Sequence, residues 1–275
     1  MGLLDYLNLV EHARKLWRYL STRKFRQVFG RDVRKEFHLI YNINVVPQGT
    51  VFNRPEPKVQ RENYRRTQNL KTVNSCATTR AIGHLVYGFG KMVDIPLIIS
   101  SDVDTDERMD MSFISVGGVT NLKTCDVLRD NSNHFLDYRS REPSIVHRSS
   151  GQAVAKPSTN VAYGFIVKIH PNSNRERTWI CCAGFEEWGT SGAAWFLANK
   201  WKDIHKWAKG KPFAIITETE YQSDESTQLV HRFLTSDEVG DPAKRFAATV
   251  TGTTQSSSKA ETIHTTCTAS PGAMQ

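Results

Sequence analysis

WICCAGFEEWGTSGAAWFLANKWKDIHKWA, residues 179–208, opens as an apolar run, passes through a cluster of glycines and small residues, and leaves with a helical period. Arg177 to Ala183 reads as a strand, Gly184 to Gly192 as a glycine-rich turn, and Ser191 through Ala208 as a helix. The same grammar stands earlier in the chain. Met111 to Val116 (MSFISV) is a strand, Gly117-Gly118 closes it, and Thr120-Asn121 begins a helix through about Arg129. A strand that feeds a helix through glycine, twice, is the repeating unit of a layered α/β domain.

The rest of the chain fits that frame. Phe37 to Val46 is rich in β-formers and stops at Pro47. Asn74-Ser75 offers a cap for a helix over 75–92 with Ala77, Ala81, Leu85 and Phe89 on one face. Ile95 to Ser100 is a short continuous apolar run of the buried-strand kind. Asn133 to Tyr138, Tyr163 to His170, Phe213 to Thr219 and Thr227 to Leu234 supply further strands, with a hairpin turn at 171–174. The expected fold is an open, mainly parallel sheet with helices on both faces, Rossmann- or flavodoxin-like, carrying an antiparallel hairpin near 163–183.

Three regions follow from composition. Residues 1–36 are a basic helical segment, in which Leu3, Leu7, Val10, Trp17 and Leu20 form an apolar stripe beside Arg14, Lys15, Arg18, Arg23 and Lys24. Residues 37–240 are the α/β domain, crossed early by a polar loop over 47–72. Residues 251–275 are rich in Ser, Thr, Ala and Gly, and too poor in large apolar groups to offset their ordering entropy, so a flexible tail is expected.

The net charge of +8 favours an anionic partner, and residues 1–72 concentrate it with fifteen Lys or Arg against six Asp or Glu. No apolar stretch is long enough for a membrane span and no signal peptide is evident, so a cytoplasmic protein is expected. Five cysteines without a C-x-x-C pair, and scattered histidines, predict no metal site. Asp102, Asp104 and Asp106 have the spacing of a calcium loop but lack its glycine and distal glutamate, which leaves a solvated loop.

The two glycine turns carry the functional expectation. Glycine lets a ligand approach the backbone, and the first N–H groups of the helix that follows attract negative charge. Gly117, Gly118, Thr120 and Asn121 form one candidate wall. Gly184, Trp188, Gly189, Thr190, Ser191 and Gly192 form the other, with Trp188 placed to stack on a base. Neither turn is a Walker A or G-x-G-x-x-G sequence. If their strands are neighbours, the two turns converge on one crevice.

At VGG–TN (116–121) and AGFEEWGTSGAAWFLA (183–198) the chain resembles the Rossmann-like group that includes nucleoside deoxyribosyltransferases, TIR-type domains and SLOG sensors, and also an uncharacterised bacterial domain family. The resemblance spans about residues 95–220. It implies a nucleotide-handling crevice. In the deoxyribosyltransferase pattern a glutamate nucleophile stands three residues after the threonine; here that position is Ala193. Glu186 and Glu187 precede the turn and are the candidate acid/base groups if the chain is an enzyme.

The expected function is therefore a sensor or effector module for a nucleotide-derived or other phosphorylated ligand. One alternative is a hydrolase or N-glycosidase acting on a nucleotide or NAD. Another is a scaffold that binds nucleic acid, a partner protein or a second copy through the basic N-terminal segment. No cofactor is assigned by the sequence.

Overall fold

The protein is described here by a computed structural model, which covers residues 22–42, 44–45, 72–73, 75–90 and 97–234. The N-terminal stripe before residue 22, most of the 47–72 loop and the 251–275 tail lie outside the described residues. By its contacts the chain divides into Met1–Glu238 and Val239–Gln275, and all described residues belong to the first unit.

In chain order the elements are helix α1 (residues 22–29), β1 (Phe37–Tyr41), β2 (Asn44–Val45), β3 (Thr72–Val73), α2 (Cys76–Gly90), β4 (Leu97–Ser101), β5 (Phe113–Val116) and α3 (Leu122–Arg129). Then come β6 (Leu136–Arg139), β7 (Ser144–His147), β8 (Ala153–Ala155), β9 (Val161–Ile169), β10 (Trp179–Gly184), α4 (Glu187–Ala208), β11 (Phe213–Glu220) and β12 (Gln228–Leu234). Short 3₁₀ turns stand at Arg31–Arg34 and Asp224–Ser226.

The main sheet has seven strands in the order β12-β11-β9-β10-β5-β1-β4. It is mixed where a mainly parallel sheet was expected. β4, β1, β5 and β10 run parallel, and β9, β11 and β12 continue antiparallel from β10. The expected hairpin is real, with β9 paired to β10 through Ile166↔Cys182. Its antiparallel direction then carries across two further strands. β9 and β11 are central strands, mostly buried, and read as nearly continuous apolar runs, so their sequences do not betray direction; β12 is the edge strand. β6, β7 and β8 form a separate antiparallel sheet, in which β7 and β8 have no counterpart among the expected strands.

Strand alternation sorts the core into two layers. Phe37, Leu39, Ile114, Val116, Ile166, Ile180, Cys182, Phe213 and Ile215 face α1, α2 and α4. Ile40, Phe113, Phe165, Val167, Trp179, Cys181, Ala214 and Ile216 face α3 and the small sheet. Phe25 and Phe29 of α1 sit at ring-centroid distances of 5.0 and 4.9 Å from Phe89 of α2. The end of the basic N-terminal segment thus shares the core of the α/β domain.

Helix α4 begins at Glu187, so Gly189 through Gly192 are helical and not part of a turn. Their glycines seat the helix. A Cβ on Gly189 would stand 2.2 Å from the Tyr163 carbonyl oxygen, and one on Gly164 of β9 would stand 2.1 Å from the Gly189 oxygen. A Cβ on Gly192 would meet Thr219 Oγ1 at 2.1 Å. The N-terminal half of α4 therefore lies backbone against backbone on the sheet, which no larger residue permits.

Gly164→Ala and Gly189→Ala are expected to destabilise the fold by about 1–3 kcal/mol or more through overpacking. Gly83→Ala, on an α2 position with nothing within 4 Å of the added Cβ, is expected to gain about 0.5–1 kcal/mol from helix propensity. Urea unfolding midpoints of the three variants check this; a neutral Gly189→Ala would refute the seating.

Candidate functional site

The four parallel strands, numbered among themselves in chain order, lie 2-1-3-4 across the sheet. From β1 the chain leaves toward β4 with α2 on one face, and from β5 it leaves toward β10 with α3 on the other. The connections diverge between β1 and β5, and open α/β sheets bind ligands at such a switch point, outside the carboxyl ends of the strands. Asn42 follows β1 there and Gly117-Gly118 follow β5.

Three helix starts gather round this edge, tied by buried polar groups. Gly117 has φ +130° and donates its N–H to the Cys182 carbonyl at 3.1 Å, which joins the first turn to β10. A Cβ on Gly117 would lie 2.8 Å from Asn42 Oδ1, so glycine is required there twice over. Asn42 Nδ2 donates to Thr120 Oγ1 at 3.4 Å, and Thr78 Oγ1 in the first turn of α2 donates to Asn42 Oδ1 at 3.3 Å. Ser75 Oγ accepts from the Thr78 N–H at 3.1 Å and caps α2.

The two glycine turns do converge. A Cβ on Gly118 would lie 3.6 Å from the Gly184 carbonyl oxygen, an ordinary contact, with Gly118 and Gly184 both half-buried. Thr120, Glu186 and Glu187 are exposed beside them, and Trp188 is half-buried.

The other expected ligand contacts are turned inward. Asn121 is fully buried: its Oδ1 accepts from the Thr124 N–H at 3.1 Å and its Nδ2 donates to the Val116 carbonyl at 3.1 Å. It caps α3 and stitches the strand ends. Asp102 Oδ2 accepts the Leu122 N–H at 3.0 Å, so the positive end of α3 already holds a carboxylate. Gly189, Thr190, Ser191 and Gly192 are buried in α4. The second turn is thus only Gly184-Phe185-Glu186. Burial also pushes the Cys181 thiol up to about 12 and raises Cys182 further from reactivity.

The structure adds a polar cluster that sequence spacing could not assemble. Arg80, His84 and Gly88 recur every fourth residue of α2 along the face that meets α4, and a Cβ on Gly88 would touch the Ala198 Cβ at 3.0 Å. The Arg80 guanidinium lies 3.8 Å over the Trp188 ring, and its Nη2 donates to Ser191 Oγ at 3.3 Å. Ser191 donates to Asp224 Oδ1 at 2.5 Å, and His84 Nε2 lies 2.9 Å from Asp224 Oδ2. Ser191 bonds the aspartate and not the histidine, so the group is no nucleophile–base pair. It locks α2, α4 and the Asp224–Ser226 turn together.

Burial by itself would raise the Asp224 carboxyl, but hydrogen bonds from His84 and Ser191 and the charges of His84 and Arg80 outweigh it, and the net shift is downward. The Tyr221 hydroxyl donates to the Ser158 carbonyl at 2.7 Å, and the nearby Glu186 raises the phenol. Among the described residues no group of three or more His, Cys, Asp or Glu is placed to hold a metal ion, and no helix is long and apolar enough to cross a membrane. No protein-family model and no curated protein matches this chain.

Asp224→Asn is expected to cost about 2 kcal/mol or more, because it strips the buried charge from Arg80 and His84. With the folded value depressed, that contribution is complete above the unfolded carboxylate value of about 3.9 and is lost as pH falls through the folded value. The stability gap between parent and variant, read from urea unfolding, should therefore be full near neutrality and close in acid.

Proposed function

We propose that the chain is a binding module for a nucleotide-derived ligand, seated where β1 and β5 diverge. The observation that carries this reading is the apposition of Gly118 and Gly184 at the switch point: both are half-buried, one on each neighbouring strand end, and a Cβ on Gly118 would have only the Gly184 carbonyl oxygen within 4 Å, while Gly184 itself packs under α4 at Gly189 and Thr190. Around them stand groups suited to each part of such a ligand. Exposed Val119 and Leu122 offer apolar contact to a base. Glu186 and Glu187 are acceptors for ribose hydroxyls. With the α3 terminus occupied by Asp102, an anionic group is left to the α2 and α4 side, where Arg80, also paired with Asp224 at 3.4 Å, lies 3.8 Å over Trp188.

A hydrolase or N-glycosidase acting on the same ligand is the second reading, with exposed Glu186 as its candidate acid/base group. Against it, Ala193 is buried against the sheet at the position where the resembling enzymes carry a nucleophile.

A panel of mono-, di-, cyclic and dinucleotides should raise the melting temperature, because a ligand selective for the folded state stabilises it by mass action. Gly118→Val should abolish that rise and leave the circular dichroism spectrum intact, since the added Cβ has only ordinary contacts. No shift with any member of the panel would defeat the binding reading. Turnover of NAD or a nucleotide, lost in Glu186→Gln, would replace it with the enzyme.

A further inference from the structure

At the opposite edge of the sheet a lysine is buried with no counter-charge among the described residues. Lys168 on β9 is 1% exposed, and the inward side of its strand also carries Gly164 and Ile166. Its partners in the sheet are Ile180 on β10 and Phe213 on β11, both apolar. Its Nζ donates to the Gln27 carbonyl at 2.8 Å and to the Gly210 carbonyl at 2.9 Å. Gln27 lies in the last turn of α1, and Gly210 follows the Lys209 cap of α4. A side chain on Gly210 would crowd the Gln27 carbonyl at 3.2 Å, so the two helix ends are packed against each other around one amine.

The charged groups near this joint are mostly cationic. His205 Nε2 lies 2.5 Å from Gln27 Oε1, and burial first, then Lys24 and Lys168, lower its basicity. Lys209 flanks Gly210, while Asp203 on α4 is exposed and paired with Lys206 at 2.7 Å. Among the described residues no carboxylate stands within ion-pair distance of Lys168.

A neutral amine has two N–H donors, and the joint offers two carbonyl acceptors. The ammonium brings a third N–H and a full charge into an apolar layer. Helix C-termini favour a cation, but burial outweighs them here and lowers the Lys168 ammonium to about 7.

We propose that Lys168, with the C-terminal ends of α1 and α4, forms an acid-sensitive latch: neutral Lys168 holds α1 tightly to the sheet, and proton uptake by Lys168 loosens it. The sign follows from linkage. The folded value lies below the unfolded one of about 10.4, so the closed joint binds fewer protons than the opened one, and opening becomes easier as pH falls. Below the folded value both states are protonated and the dependence flattens.

Hydrogen exchange of the amides over residues 22–30 in the full chain, corrected for intrinsic rates, reads the latch directly. Between about pH 8 and about pH 6 the opening constant should rise about tenfold. Lys168→Met should abolish that rise, and His205→Gln should keep it. An equal pH dependence in Lys168→Met, or none in the parent, would overturn the proposal. If Lys168→Met does not fold, titration of the parent with ¹³C-labelled lysine decides. One lysine should titrate near 7, and a set that all titrate near the ordinary value of about 10.4 would defeat the latch.

Discussion

The fold rests on a contact made without side chains. Gly189 of α4 sits on the Tyr163 carbonyl and Gly164 of β9 sits under the Gly189 carbonyl, each where a methyl group would stand near 2 Å from the neighbouring oxygen. That approach fixes the height of α4 over β9 and β10. The connection from β10 to α4 is only Phe185-Glu186, so the seating also fixes where the helix begins, beside Gly184 and across from Gly118. α2 then packs on α4 through Gly88 and Ala198, and the arginine at its top finds Trp188. Helix α1 closes the layer with Phe25 and Phe29.

The two halves of the sheet divide the labour. The parallel half presents strand ends and helix starts to one edge, where backbone polar groups must be satisfied. Asn121 and Asp102 satisfy those of α3 from within, and Ser75 those of α2. The antiparallel half supplies the bed for α4 and sends Asp224 back to the α2–α4 seam from the turn after β11. The electrostatics follow. Asp102 cancels one helix terminus, Glu186 and Glu187 line another, and Arg80 is paired with Asp224 at 3.4 Å.

Much of this was legible in the sequence, and the losses have physical causes. Periodicity located α2, α3, β1, β5, β9, β10, β11 and β12 to within a few residues. Short β7 and β8 were missed because their pairing is with each other and β6, not with a long apolar run. The antiparallel direction of β11 was missed because a strand buried on both faces shows no alternation. At Gly117 and Gly118 the reading of glycine as a turn residue placed the strand edge. At Gly189 and Gly192 it failed, because a missing Cβ serves close helix–sheet packing as well as ligand approach, and sequence does not say which. The Arg80–Ser191–Asp224–His84 cluster joins residues 111 and 140 positions apart, beyond any spacing rule. Lys168 was within reach: in YGFIVKIH, alternation sets it on the inward face with Gly164 and Ile166.

Helix α4 links the two edges, and its length makes the link testable as mechanics. Its 22 residues span roughly 33 Å, from the glycine pair at one end to the Lys168 joint at the other. The two ends are held differently. The N-terminal half is held by backbone contact with β9 and β10, which has no slack because interiors are close-packed and a shift of even a few tenths of an ångström meets another chain. The C-terminal half is held by side chains of α1 and by two hydrogen bonds from one titratable amine. The structure thus places a backbone-to-backbone seat and a joint built on one amine at opposite ends of a single helix, and the strand edge that gathers Gly118 and Gly184 lies at the seat.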